Sequence, residues 1–325
     1  MQEKEDNPPC DRKKREWKGY GRMRILVYGA GVLGCNLAHD FYRAKRDVTI
    51  LARNTWAQQI KQEGLTIRHL CRTTKDRMKV ITRLEEEDIY DVIFVVMQYS
   101  QIDEILPVLQ KNKSKTIVFV GNNLRAEEYE KALAQKQVLF AFYSACGKRE
   151  ETRVRSVALQ KITIGPAKGK CNHAQIAPLF ENTKEKVQEM SDMDCWLKTH
   201  AAFILPLAYA CYYTGGDLRK IKRNDTMLNI LIDAVREGYE VIKAAGYDIV
   251  PYTEYEYVTL NRSKCYSFFK LMCATFIGKM AITDHAMSAV KEMTVLSADF
   301  RKLKERSGKA TPKLDMLENY LLNVK

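Results

Sequence analysis

Hydrophobic patterning divides this chain into two unlike halves. In the first half, short apolar runs alternate with polar or helical stretches, and the run at 91–97 is almost continuously apolar, as in a strand buried on both faces. The other strand patterns lie at 24–28, 48–52, 65–69, 79–82, 116–120, 138–143, 157–164 and 186–190, and helices are predicted at 101–110 and 174–181. This alternation predicts an α/β fold with a doubly wound sheet.

The second half carries apolar positions at intervals of three and four residues, which is typical of helices. The predicted helices cover 196–213, 227–245, 251–261, 266–279, 287–303 and 313–323, and Gly246 should cap the second of them. We therefore expect a doubly wound domain at 23–194 and an all-helical domain at 195–325. The polar segment at 1–22 is expected to be a disordered tail.

One segment of the first half predicts chemistry as well as structure. The apolar run at 25–28 leads into a G-x-G-x-x-G turn, and residues 35–41 then continue as a helix with an apolar stripe. Strand, glycine turn and helix in this order predict a Rossmann dinucleotide site, with the phosphates at the helix N-terminus. The predicted cofactor-binding residues of the turn are Gly29, Ala30, Gly31, Val32, Leu33 and Gly34.

The end of the second strand indicates which cofactor is bound. An NAD site would place Asp or Glu there to hold the ribose 2′-hydroxyl, whereas this strand ends at Arg53. A guanidinium group suits a 2′-phosphate, so the sequence predicts NADPH. The alternative is an ordinary surface arginine.

Composition narrows the class of protein. The 325 residues suffice for two domains, and the 46% hydrophobic content is ordinary for a globular protein. Nine cysteines without a C-x-x-C pair favour reduced thiols in a cytoplasmic protein, with no metal site. The N-terminus lacks the apolar core of a secretory signal, and the longest uncharged apolar run, at 201–213, is too short to span a membrane.

The formal net charge of +13 is distributed along the whole chain and matches no nucleic-acid-binding module. A positive field would attract NADPH and a small carboxylate substrate, and we expect neither nucleic acid nor membrane as a partner. Helical second domains often pair through apolar faces, so a homodimer is a candidate assembly.

Two residues of the predicted cleft are candidates for catalysis. Asn122 follows the strand at 116–120, at the sheet edge where doubly wound folds bind ligands, although asparagine is also common in turns. Lys198 lies near the start of the first helix of the second domain, where a lone lysine is more often a surface residue.

Together these motifs resemble the ketopantoate reductase family, over about residues 23–320. The segments that carry the resemblance are 29–34, 51–53, 120–123, 162–166, 196–198, 237–246 and 249–251. The resemblance implies an enzyme that reduces 2-dehydropantoate with NADPH in pantothenate biosynthesis. It also implies that Lys198 is the catalytic lysine, that Asn122 lies where cofactor and substrate meet, and that Arg53 selects NADPH.

The chain departs from the family where the substrate would bind. Ala202 replaces one family asparagine, and Gln98 replaces a strand-end lysine at the cofactor site. The family's Thr-Glu-Ile-Asp segment looks like residues 312–315, which would leave the substrate-binding glutamate absent. These changes predict altered substrate recognition.

Other residues could take over the substrate-binding role. His200 and His285 are the candidates. The alternative for His200 is packing at the domain interface. The alternative for His285 is an exposed position beside Asp284 at the start of a helix. Lys291 and Glu292 are interpreted as solvated helix charges.

The leading hypothesis is therefore an NADPH-dependent reductase of a small 2-oxo acid. A non-catalytic NADP(H)-binding sensor and another Rossmann dehydrogenase, of hydroxyacid or opine type, remain as alternatives.

Overall fold

The computed structural model describes residues 23–275 and 278–323, with only the backbone of Ala281, so the tail predicted at 1–22 lies outside the described residues. A curled sheet of ten strands forms the N-terminal part, and helices form the rest. The strands are β1 Arg24–Tyr28, β2 Asp47–Leu51, β3 Leu65–Arg68, β4 Thr73–Asp76, β5 Lys79–Ile81, β6 Val92–Val96, β7 Thr116–Val120, β8 Gln137–Arg149, β9 Val154–Gly165 and β10 Lys186–Glu189.

The sheet order is β4-β3-β9-β8-β7-β6-β1-β2-β5, with β10 paired to β9. Strands β5, β2, β1, β6, β7 and the start of β8 run parallel, which confirms the doubly wound Rossmann architecture. All five residues of β6 are buried, because helices cover both faces of a parallel sheet. The helices of this part are α1 Val32–Arg43, α2 Asn54–Glu63, α3 Ile102–Lys111, α4 Ala126–Ala132 and α5 His173–Phe180.

The sequence did not predict the antiparallel pairing of β8 with β9. These strands, predicted as short, extend to 13 and 12 residues and form a long hairpin that curls the sheet. Gly147 allows the close approach within the hairpin, since a Cβ atom there would lie 2.1 Å from the carbonyl oxygen of Arg155. Alternation alone could not show the pairing, because partner choice depends on contacts distant in sequence.

The second part is helical from Met193 onward. Its helices are α6 Met193–Thr214, α7 Arg219–Lys222, α8 Asp225–Ala244, α9 Tyr252–Leu260, α10 Arg262–Met272, α11 Asp284–Ser288, α12 Val290–Ser307 and α13 Pro312–Leu322. Asp192 caps α6 by accepting a hydrogen bond from the backbone N–H of Cys195, and Gly246, with φ of +90°, follows the end of α8 as expected. The helix predicted at 266–279 ends earlier, at Met272, before the undescribed residues 276–277.

No helix of the described residues has the length and apolar character needed to cross a bilayer.

A partly buried carboxyl pair, formed by Asp40 of α1 and Glu185, predicts a pH-dependent stability. Burial and the neighbouring Asp40 raise the pKa of Glu185 from 4.5 to about 8. The folded state therefore holds a proton that the unfolded chain releases, so stability decreases as pH rises from about 5 to 8. Because Glu185 is partly exposed, we expect a loss of only about 1–2 kcal/mol.

Glu185→Gln should remove this loss, because the amide mimics the protonated acid. The free energy of urea unfolding, measured at pH 5 and pH 9, should differ less for this variant than for the wild type. Glu128→Gln, at an exposed position, is the matched control. Identical pH profiles for Glu185→Gln and the wild type would contradict the prediction.

Candidate active site

The glycine turn between β1 and α1 has one open position and two closed ones. Gly29 has φ of +124°, and a Cβ atom there would lie 2.1 Å from the carbonyl oxygen of Val96. A Cβ atom on Gly34 would lie 1.9 Å from the carbonyl oxygen of Gly29, so helix and strand are in direct contact at this point. At Gly31, no atom of the other described residues lies within 4 Å of the corresponding position, apart from those of its two chain neighbours. The exposed backbone at Gly31 is the surface that a pyrophosphate could approach.

The rest of the turn is held by side chains behind it. The indole N–H of Trp56, on α2, donates to the carbonyl oxygen of Ala30 at 2.9 Å, and the thiol of Cys35 lies 3.4 Å from the same oxygen. Val32 and Leu33 form the half-buried first turn of α1. The side chains of Trp56 and Cys35 therefore hold the turn from behind, and the N-terminus of α1 lies on its open side.

Arg53 lies beside this turn and is exposed. It is the N-cap residue of α2, two residues after the end of β2. Burial raises the pKa of the Tyr28 phenol, and the positive charge of Arg53 partly opposes that shift, so the two side chains are neighbours.

The carboxyl edge of the sheet meets the helical part at Asn122. Its side-chain amide donates to Oε1 of Glu292, on α12, at 3.1 Å, and the backbone N–H of Tyr99 donates to the same oxygen at 3.4 Å. Gln98 immediately precedes Tyr99 and is half-buried at the end of the neighbouring strand β6. One carboxylate thus bridges the ends of two parallel strands.

The interpretation of Glu292 as a solvated charge was wrong, since only 3% of the residue is exposed. The apolar stripe of α12 continues through Leu296 and Phe300 at intervals of four, and Glu292 occupies the preceding position of that stripe. This spacing was the sequence signal that could have predicted the burial of Glu292. The absence of the family's substrate-binding glutamate at residues 312–315 stays a prediction, and the buried carboxylate that meets Asn122 comes from α12. Lys291 is exposed, as expected.

One candidate histidine, His285, lies beside this carboxylate, and the other, His200, interacts with His285. Nε2 of His285 lies 3.6 Å from Oε2 of Glu292, and 45% of the histidine side chain is exposed. His200 stacks on Trp196 and packs against Phe142, with ring centroids 5.2 and 4.2 Å apart. Burial, with a smaller effect from the charge of His285, lowers the pKa of His200 to about 4, so this imidazole is neutral.

Lys198 has different neighbours. Its ammonium group pairs with Asp194 one turn earlier and lies 4.4 Å from the ring centroid of Tyr247. Burial raises the pKa of the Asp194 carboxyl, and the charge of Lys198 opposes this shift. Positions 198 and 200 project to nearly opposite sides of α6. Within the described part of the chain, the polar contacts of Asn122, Glu292 and His285 do not include Lys198, whose role stays a prediction.

The structure thus brings Asn122, Glu292 and His285 together, with His200 nearby, at the edge of a sheet that also carries the glycine turn. A Rossmann sheet followed by helices, with polar residues at the edge between them, is typical of oxidoreductases that act on CH–OH or C=O groups.

Comparison with known proteins points in the same direction as the sequence motifs. Residues 25–169 match the family model described as "Ketopantoate reductase PanE/ApbA", so the N-terminal part of the chain is similar to that family. This match agrees with the resemblance that the sequence indicated. No curated protein is significantly similar to it in sequence.

Solved structures share the fold over nearly the whole chain. The 2-dehydropantoate 2-reductase from Geobacter metallireducens GS-15 has a TM-score of 0.76 at 18% identity, covering 93% of this chain and 100% of that one. D-mandelate dehydrogenase with NADH and anilino(oxo)acetate has a TM-score of 0.74 at 14% identity, covering 92% and 97%. The dimeric ketopantoate reductase from Staphylococcus aureus has a TM-score of 0.69 at 14% identity, covering 92% and 98%.

Proposed function

We propose that this protein is an NADPH-dependent reductase of a small 2-oxo acid. The observation that carries the proposal is the hydrogen bond from Asn122 to Glu292, which joins the ligand-binding edge of the Rossmann sheet to the helical part. A ligand that bridges these two residues would lie between a cofactor on the sheet and side chains from α11 and α12.

The glycine turn fits a dinucleotide. Gly31 leaves room for a phosphate above the N-terminus of α1, where the helix dipole favours an anion. At the end of β7, the buried amide nitrogen of Asn123 has no hydrogen-bond partner among the described residues, so a donor is available close to Asn122. When bound, the reduced nicotinamide supplies a hydride to a carbonyl carbon.

The residues of this chain then have three tasks. The amide of Asn122 orients a ribose or substrate oxygen. His285, beside Glu292, provides a positively polarised group for the substrate carboxylate. A donor next to the carbonyl oxygen must stabilise its developing negative charge and provide a proton, and family resemblance gives that task to Lys198. The D-mandelate dehydrogenase solved with anilino(oxo)acetate supports a 2-oxo acid as the substrate class.

A non-catalytic NADP(H)-binding protein is the second candidate function. The observation that favours it is the ion pair of Lys198 with Asp194, which engages the ammonium group expected to act as the acid. Fluorescence titration with NADPH and NADH, followed by a panel of 2-oxo acids, separates the two candidates. Oxidation of NADPH by one acid supports the reductase, whereas binding without oxidation by any acid supports the second candidate.

Arg53→Gln should weaken NADPH binding by about tenfold or more and leave NADH binding within about twofold, because only NADPH carries the 2′-phosphate. Dissociation constants from the same titration test this expectation. Arg68→Gln, an exposed arginine on β3, is the control. Equal losses for both cofactors would exclude reading of the 2′-phosphate by Arg53.

A family relative of this fold is described as dimeric, and we propose a homodimer for this chain too. Measurement of the molecular mass of the protein in solution tests this proposal.

A further inference from the structure

The β8–β9 hairpin carries a second arginine to the glycine turn. Arg149 is the last residue of β8 and is exposed. Its guanidinium carbon lies 5.7 Å from the centroid of the Trp56 ring. Trp56 is only 7% exposed and belongs to the first turn of α2, three residues after Arg53. Arg149 thus approaches the indole from the hairpin, whereas Arg53 precedes the indole by three residues at the start of α2.

Trp56 also connects Arg149 to the phosphate end of the predicted cofactor site. Its indole N–H donates to the carbonyl oxygen of Ala30, between the first two glycines of the turn. Cys35, in the first turn of α1, lies against the same carbonyl oxygen. Burial raises the pKa of this thiol to about 12, and the charge of Arg149 is one of the influences that oppose the shift. The field of Arg149 therefore extends to the first turn of α1.

In the described part of the chain, no carboxylate partner accounts for the position of Arg149. Among residues 23–275 and 278–323, no ion pair involves Arg149 or Arg53, whereas Arg153, at the tip of the same hairpin, pairs with Glu150 at 2.7 Å. Stacking on an indole leaves the planar N–H donors of a guanidinium group free at its edge. Such a fork matches two oxygens of a phosphate.

We infer that Arg149 binds a phosphate group of the dinucleotide and is a cofactor-binding residue contributed by the hairpin. The inference rests on the proposed cofactor site. The nucleotide end of the cofactor lies between Arg53 at the N-terminus of α2 and Arg149 at the end of β8, with Trp56 fixing the second guanidinium. Gly147 contributes indirectly, because its lack of a side chain permits the tight contact of the two strands just before Arg149.

Arg149→Met tests the inference, since methionine keeps an apolar cover over Trp56 and removes the charge. Lys148→Met is the matched control, because the neighbouring exposed lysine points to the other face of the strand. Dissociation constants for NADPH and NADH are measured by fluorescence at low ionic strength, and thermal unfolding of each variant checks that the fold is intact. We expect Arg149→Met to lose about tenfold or more in NADPH affinity, and Lys148→Met less than about twofold.

The two cofactors show which phosphate is bound. A loss for NADPH alone assigns Arg149 to the 2′-phosphate, and equal losses for both assign it to the pyrophosphate. Affinities within twofold of wild type for both cofactors would overturn the inference and leave Arg149 as a cover for Trp56, with the proposed function intact. Failure of the wild-type protein to bind either cofactor would instead refute the cofactor site and the inference with it.

Discussion

Gly31→Ala is expected to abolish measurable NADPH binding while the protein stays folded. The backbone of Gly31, with φ of −77° and ψ of −169°, accepts alanine, and a Cβ atom there meets nothing within 4 Å. The added methyl group occupies the space through which a pyrophosphate would reach the N-terminus of α1. Loss of the N-cap glycine costs at most about 1 kcal/mol of stability. Fluorescence titration and thermal unfolding of the same preparation test both parts.

Gly34→Ala is the contrasting variant at the third glycine. Its Cβ atom would lie 1.9 Å from the carbonyl oxygen of Gly29, so α1 must move away from β1. We expect a stability loss of about 2–4 kcal/mol, together with weaker binding. If Gly31→Ala bound NADPH normally, the cofactor would have to approach elsewhere. If Gly34→Ala were as stable as the wild type, the close packing of α1 on β1 would be wrong.

Lys198→Met is expected to lower the turnover of a 2-oxo acid by about 100-fold or more, because a general acid contributes at least that factor. NADPH affinity should be almost unchanged. The variant should also lose about 3 kcal/mol of stability, because the buried Asp194 carboxyl group is left without its ionic partner. Turnover is therefore measured well below the unfolding temperature.

A double variant separates the catalytic role from the structural one. Asp194→Asn combined with Lys198→Met removes the unpaired charge and should restore most of the stability. If turnover remains lost in the stable double variant, Lys198 acts in the reaction. If turnover returns, the lysine only neutralises Asp194, and the proton must come from another group. His285→Gln tests the nearest alternative, since His285 lies beside Glu292 in the cleft.

Local patterns predicted the elements that build the cofactor half. The predicted strands at 24–28 and 116–120 coincide with β1 and β7, and the turn at 29–34 joins β1 to α1 as expected. Such features depend on residues close in sequence, because alternation, glycine spacing and helix caps act over one or two turns. The helix caps at Asp192 and Gly246 follow the same local rules.

Most contacts between side chains were not predicted from the sequence. Glu292 contacts Asn122, which lies 170 positions away in the sequence. Its charge favoured the prediction of a solvated residue, whereas the register of α12 places it on the buried face. Lys198 looked like the centre of the reaction, and its pairing with Asp194, four residues earlier, was missed because the predicted helix began at 196 and not at Met193. A burial pattern can show that a position faces inward, but it cannot show which charge it will meet there.

The sequence by itself determined the Rossmann half, the glycine turn, the exposed arginine after β2 and the helical second part, because each depends on short-range periodicity or on the backbone freedom of glycine. Only the tertiary structure decided the β8–β9 hairpin, the contact of Lys198 with Tyr247 and the meeting of Asn122, Glu292 and His285. The physical reason is that these partners are selected by packing between the sheet and the helical part, where burial and electrostatic pairing operate between residues that the chain keeps far apart.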